Sequence, residues 1–177
     1  YWRDLGRFTG REPEAEEMIK GFQREIARIR RLVEDIPMDK RKRAYFESIH
    51  SKMKTFSPFS IAIFALKTAG GINIASDARS VRNTNIAEYG KEWILSHAHE
   101  IEVYLAQRGT MNHVIRHLIM KEPGFMAIKA IQEGKVYIID EKIVSRPTLR
   151  LLDGIYEIGR ILYPERFKGI ERQTGIK

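Results

Sequence analysis

His50, Lys52, Lys54, Phe56 and Phe59 interleave cations with aromatic rings along one short stretch. That mixture suits an anionic, ring-bearing ligand, held by charge-assisted hydrogen bonds and by cations over ring faces. Arg108 and Arg146 take comparable places after later strand-like segments, so the set describes a cationic, aromatic rim. The plain alternative is a solvated loop edge, since charged residues are mostly exposed. His113 and His117, four apart, could share a helix face and hold zinc. Zinc needs a third or fourth ligand, and the Glu of the metalloprotease motif is missing, so polar helix surface is the competing reading. His97 and His99 sit at a helix end, where a dipole role suffices. Gly70-Gly71 lacks the remaining glycines and the lysine of a P-loop and reads as a helix C-cap. There is no Gly-x-Ser-x-Gly elbow, and no carboxylate pair stands out for acid–base work. With no Cys in the chain, disulfides, thiolate metal sites and Cys nucleophiles are excluded. Nothing in these segments resembles an assembled catalytic site.

Charge favours anionic partners. The 177 residues hold 31 Lys and Arg against 23 Asp and Glu, a net charge of +8. Basic clusters at Arg28-Ile29-Arg30-Arg31 and Lys40-Arg41-Lys42-Arg43 keep open a nucleic-acid-binding domain, although no zinc-finger or RNA-binding signature accompanies them. A small anion would be attracted equally well. No apolar run approaches the ~18–20 residues that span a bilayer. The opening Tyr1-Trp2-Arg3-Asp4 is neither a signal peptide nor a start methionine, and predicts a processed or truncated product.

The elements that must position these residues follow from periodicity. Ala15, Met18, Phe22, Ile26, Ile29 and Val33 step by three or four, which predicts an amphipathic helix over 12–33. Thr9 and Glu12 read as its capping box, early glutamates and late arginines suit its dipole, and Pro37 stops it. Residues 44–49 alternate as a strand, and 50–57 read as a polar loop. Ser57-Pro58 predicts a helix start with Ser57 as N-cap, ending at Gly70-Gly71. A short strand over 72–75, a loop over 76–85 and a helix over 86–97 come next. Residues 101–105 read as a strand, 107–110 as a loop, 111–120 as a helix and 123–134 as another. Val136-Tyr137-Ile138-Ile139 is the clearest strand. Ser145-Arg146-Pro147 opens a last helix closed by Pro164, and the tail after Phe167 is expected to be loose. Alternating strands and helices predict an α/β fold with a mainly parallel sheet flanked by helices, preceded by a long helix. Ligand loops then lie beyond the carboxyl ends of the strands, at 50–57, 107–110 and 140–146.

Several segments in order resemble a known family. These are Leu5-Gly6, Gly10-Arg11-Glu12 and Ala15-Glu16-Glu17; then Ala69-Gly70-Gly71-Ile72-Asn73-Ile74-Ala75; then Glu92-Trp93-Ile94-Leu95. Ala127-Ile128-Lys129-Ala130-Ile131 with Gly134-Lys135-Val136-Tyr137 follows, then Arg146-Pro147-Thr148, Arg150 and Tyr163-Pro164-Glu165-Arg166-Phe167. Together they resemble the C-terminal lobe of helical-backbone (class III) substrate-binding proteins, the receptors of ABC importers for ferric siderophores, haem and cobalamin. The resemblance implies two α/β lobes bridged by a rigid helix, with ligand between them. On that pattern residues 1–36 are the inter-lobe helix with its flank, residues 37–177 the C-terminal lobe, and the N-terminal lobe is absent.

It also implies an extracytoplasmic, non-enzymatic protein with no tightly bound cofactor. Its cargo would be a metal chelate and its partners permease subunits, with Glu92 at the position of the docking glutamate. A zinc- or manganese-binding lobe is the family's other variant, with ligands from both lobes. Ala98-His99-Glu100 stands where the family has Asn-Pro-Asp, Glu102 interrupts the following strand, and Leu149 replaces a small residue or proline. The binding residues Lys52, Lys54, Phe56, Phe59, Arg108 and Arg146 rest on chemistry and position. Trp2, Leu5 and Phe8 are expected to face the absent lobe and, uncovered, to promote self-association.

Overall fold

The apolar stripe over 12–33 forms a long helix in the computed structural model, which describes residues 1–172. A short helix the sequence reading missed, α1 (Trp2–Thr9), precedes α2 (Glu12–Arg31). The twenty residues of α2 span ~30 Å. Thr9 does not cap α2. It ends α1, and its hydroxyl donates back to Leu5 O at 2.8 Å. Gly10, at φ 65, turns the chain between the two helices. Gly6 lets them touch, because a Cβ there would lie 2.7 Å from the Ala15 Cβ.

Strand β1 (Arg43–Ile49) follows, then β2 (Lys54–Phe56), α3 (Ile61–Thr68), β3 (Ile72–Asn73), β4 (Arg79–Ser80), β5 (Ile86–Glu88) and α4 (Lys91–Ser96). The second half runs β6 (Val103–Arg108), α5 (Arg116–Met120), α6 (Lys129–Gln132), β7 (Val136–Asp140), α7 (Glu141–Val144), α8 (Leu151–Leu162) and α9 (Pro164–Phe167). The strands form one sheet in the order β4-β5-β2-β1-β6-β7, with β3 also beside β1. β3, β6 and β7 extend the sheet in parallel, and β2, β5 and β4 add an antiparallel flank. The α/β, mainly parallel sheet is as the sequence implies.

Alternation along β1 and β6 builds two cores. Ala44, Phe46, Val103 and Leu105 face α2, α3, α7 and α8. Tyr45, Tyr104 and Ala106 face α4, α5 and α6. Ile26, Ile29 and Val33 bring α2 onto the first core. The last family segment is a clasp on that helix: Arg166 reaches Leu32 O at 3.0 Å and Asp35 Oδ1 at 2.5 Å. The Tyr163 hydroxyl accepts from Lys42 N at 2.9 Å and donates to Gly70 O at 3.0 Å.

Several elements differ from expectation. Residues 86–88 are a strand, because Ile86-Ala87-Glu88 has a partner on each side, and the helix begins only after Gly90. Ser60, not Ser57, caps α3, accepting from Ile63 N at 3.2 Å. The Ser57 hydroxyl is already paired with Ser80 at 2.6 Å. The strand expected over 101–105 runs to Arg108, and the helix expected over 111–120 shrinks to Arg116–Met120. Ser145-Arg146-Pro147 links α7 to α8 instead of opening a helix. The start of the tail is tied down, since Arg160 donates to Ile170 O and Arg28 to Glu171 O, each at 3.0 Å. Residues 173–177 lie outside the described residues.

Candidate functional site

Three adjacent parallel strands, β1, β6 and β7, end on the same edge of the sheet. Hydrogen bonds stitch the segments beyond them together. The His50 N–H donates to Asn112 Oδ1 at 3.1 Å, and the Asn112 amide donates to Gln107 O at 2.7 Å. Thr110 N donates to Glu141 Oε2 at 3.0 Å, and the Ser145 hydroxyl bonds Gln107 Oε1. The turn after β1, the loop after β6 and the link after α7 are therefore joined into one rim. Exposed Lys52, Arg108 and Arg146 belong to these three segments.

Two other predicted residues are placed differently. Lys54 is half-buried on β2, and its Nζ pairs with Glu88 Oε1 of β5 at 2.6 Å, which answers its charge. Phe56 is a core residue, 3% exposed and edge-on to Phe46 at 4.9 Å. The alternation of β2 turns its ring inward, away from any ligand. Phe59 stands 97% exposed in the turn before α3.

Beneath the rim lies a polar cluster that sequence reasoning did not assemble. Glu47 is fully buried, yet its Oε2 accepts from the Tyr104 hydroxyl at 2.5 Å and meets His50 Nδ1 at 2.8 Å. The Glu47 hydrogen bond raises the His50 pKa above its ordinary 6.5, and the charges of Glu47 and Glu122 add to that, against burial and Lys91. Burial, with Glu47 beside them, pushes the hydroxyls of Tyr45 and Tyr104 well above their ordinary value. A Glu inside an apolar strand was the available signal.

The remaining candidates lie elsewhere. His113 is in the loop before α5 and His117 on it, so they do not share a helix face. Among the described residues no group of three or more His, Cys, Asp or Glu is placed to hold a metal ion. The basic run 40–43 sits at the opposite, amino edge. There Arg43 pairs with Glu100, while Lys42 and Lys129 lie 3.9 and 3.5 Å from Glu102. Arg41 donates to Ile36 O and Val33 O. Glu92 is exposed in the first turn of α4, next to Trp93. Trp2 packs edge-on against Phe22 at 5.2 Å, whereas Leu5 and Phe8 are 50% and 89% exposed.

A family model for periplasmic binding proteins matches residues 2–143. The chain belongs to that family. It is 24% identical over 165 residues to YvrC, an ABC transporter substrate-binding lipoprotein of Bacillus subtilis (strain 168), covering 93% of this chain and 49% of the relative. The molybdate-bound periplasmic binding protein MolA of Haemophilus influenzae superposes with a TM-score of 0.78 at 19% identity, over 96% of this chain and 50% of its own. A protein of the Fe3+-hydroxamate transport system of Saccharomonospora viridis gives 0.70 at 18%, over 90% and 53%. At these identities the structural likeness is one of fold. The chain spans about half the length of the relatives it matches.

Proposed function

We propose that this periplasmic binding protein chain is the C-terminal lobe of an extracytoplasmic receptor for an ABC importer. It captures a metal chelate (a ferric siderophore, haem or cobalamin) against a second lobe, without chemistry, and docks on permease transmembrane subunits through Glu92. The observation that carries this reading is the stitched rim, which gathers Lys52, Arg108 and Arg146 at the carboxyl edge of the parallel strands. Charge-assisted hydrogen bonds from such cations suit the carboxylate, catecholate or phosphate groups of a chelate. Phe59 offers an exposed ring. Phe56 is withdrawn from the set, and Lys54 contributes only if it leaves Glu88. Residues 1–36 serve as the inter-lobe helix and its flank.

A second reading is a compact oxyanion on the same cations, whose oxygens Lys52, Arg108 and Arg146 would serve by the same charge-assisted hydrogen bonds. The basic run 40–43 is poorly suited to a nucleic-acid backbone, because Glu100 and Glu102 neutralise much of it.

The test is calorimetric titration with a ferric hydroxamate, haem, cobalamin and molybdate, on this chain and on the two-lobe protein. One of the four is expected to bind the two-lobe protein at least ~10-fold more tightly, because a single lobe cannot bury a ligand's surface. Lys52→Ala, Arg108→Ala and Arg146→Ala are each expected to weaken it by ~10-fold or more, the worth of a hydrogen bond to a charged group. Equal affinity for one lobe and two, or three variants indistinguishable from the parent, would refute a between-lobe site on this rim.

A further inference from the structure

The turn that carries Lys52 is anchored at His50 through both its backbone and its ring. His50 opens the turn His50–Lys52, and three separate elements hold it. Its N–H donates to Asn112 Oδ1 in the loop after β6 at 3.1 Å. Its Nδ1 lies 2.8 Å from Glu47 Oε2 in β1, and its Nε2 lies 3.8 Å from Glu122 Oε2 beyond α5. The ring stands edge-on to Phe125 at 6.4 Å. The charged groups that face it are therefore Glu47, Glu122 and, through Glu122, Lys91 of α4, whose Nζ is 2.6 Å from Glu122 Oε1. Tyr104 of β6 sits behind Glu47.

Two features bear on how this turn is held. Met53, which closes the turn, has φ 47, a left-handed conformation unfavourable for a side chain with a Cβ. Glu47 is fully buried, and its Oε1 has no hydrogen-bond partner among the described residues. Among the described residues the His50 ring is the only basic group paired with it. A buried carboxylate without a countercharge is costly, so the ring's proton matters more here than at a surface.

We propose that His50 is a proton-operated positioning residue for the rim: its charged ring ties the turn 50–53 to Glu47 and Glu122 together, and loss of the proton frees the Glu122 side. The neutral ring keeps one N–H for Glu47 but has no charge to offer Glu122, and the left-handed Met53 then relaxes. The His50 pKa is raised in the folded protein, so the clamp's contribution is complete below the ordinary value of 6.5 and fades as pH rises through the raised value. Lys52 loses its fixed position over the same range. The clamp stands on its own geometry. A failed ligand titration leaves it intact, and its own failure leaves the ligand reading intact.

The experiment is amide hydrogen exchange of residues 50–53 and 112 by NMR, corrected for intrinsic rates, with the His50 ring titrated in the same samples. Between about pH 6 and about pH 8.5, opening of the turn is expected to rise by ~10-fold while β6 and β7 stay unchanged. His50→Gln, which can donate to Glu47 but carries no charge, should show a flat profile. Glu122→Gln should lower the ring's titration midpoint and shrink the pH response. A flat profile in the parent, an unaltered response in His50→Gln, or an unmoved midpoint in Glu122→Gln would each overturn the proposal. The parent and Glu122→Gln decide the matter even if His50→Gln folds poorly.

Discussion

Gly154→Ala is expected to destabilise the chain by about 3 kcal/mol, the upper end of what overpacking costs, and to lower its melting temperature by about 6–12 °C. Gly154 lies in α8 where that helix crosses the end of α7. A Cβ there would sit 2.2 Å from the Ile143 carbonyl oxygen and 2.9 Å from its carbon. Backbone atoms cannot rotate away as a side chain can, so α8 must retreat. α7 directly precedes Ser145 and Arg146, so the retreat disturbs the rim as well as the core. Urea unfolding followed by circular dichroism reads the loss, and an unchanged midpoint would mean that the two helices are not packed as described.

Phe167→Ala is expected to cost about 3–5 kcal/mol, the range for emptying a buried aromatic site. The ring is 1% exposed, lies edge-on to Tyr156 at 6.3 Å, and fills the space left by Gly159, whose Cβ would come within 2.3 Å of it. The cavity would open behind an anchor of α2. The Tyr156 hydroxyl donates to the buried Glu25 at 2.7 Å, and Arg28 lies 3.6 Å from the same carboxylate. Loosening Tyr156 should therefore speed amide exchange in the second half of α2 as well as lower global stability. A loss under about 1 kcal/mol, typical of surface substitutions, would contradict the placement of α9 in the core.

The parts of the fold legible in the sequence are those stabilised locally or by a long pattern. α2 declares itself through six apolar positions, and β7 through its Val-Tyr-Ile-Ile run. The antiparallel flank was invisible because β2, β4 and β5 have two or three residues each and exist only through their neighbours. No alternation can be read in so short a segment, so Ile86-Ala87-Glu88 was absorbed into a helix. The choice between Ser57 and Ser60 as cap was likewise set at a distance, by Ser80.

The site divides in the same way. Lys52 and Arg146 lie beyond strands that can be read in the sequence, whereas Arg108, expected in a loop, is the last residue of β6. Phe56 and Lys54 were misjudged because their surroundings depend on β2 pairing with β1 and β5. Lys54 finds Glu88, and Phe56 finds Phe46, only in that register. Glu47, His50, Asn112 and Glu122 meet only once the sheet order is known. The glycines of the family segments, in contrast, have direct local reasons, the Gly6–Ala15 helix contact and the positive φ of Gly70 among them.

Cargo is proposed to meet this lobe at the carboxyl edge of β1, β6 and β7. Paramagnetic broadening of backbone amide signals by a saturating ferric chelate tests it most directly, because the iron marks its own position. Broadening concentrated at 50–53, 108–112 and 145–148 is the predicted result. Broadening at the amino edge, around 40–43 and 99–102, would contradict it.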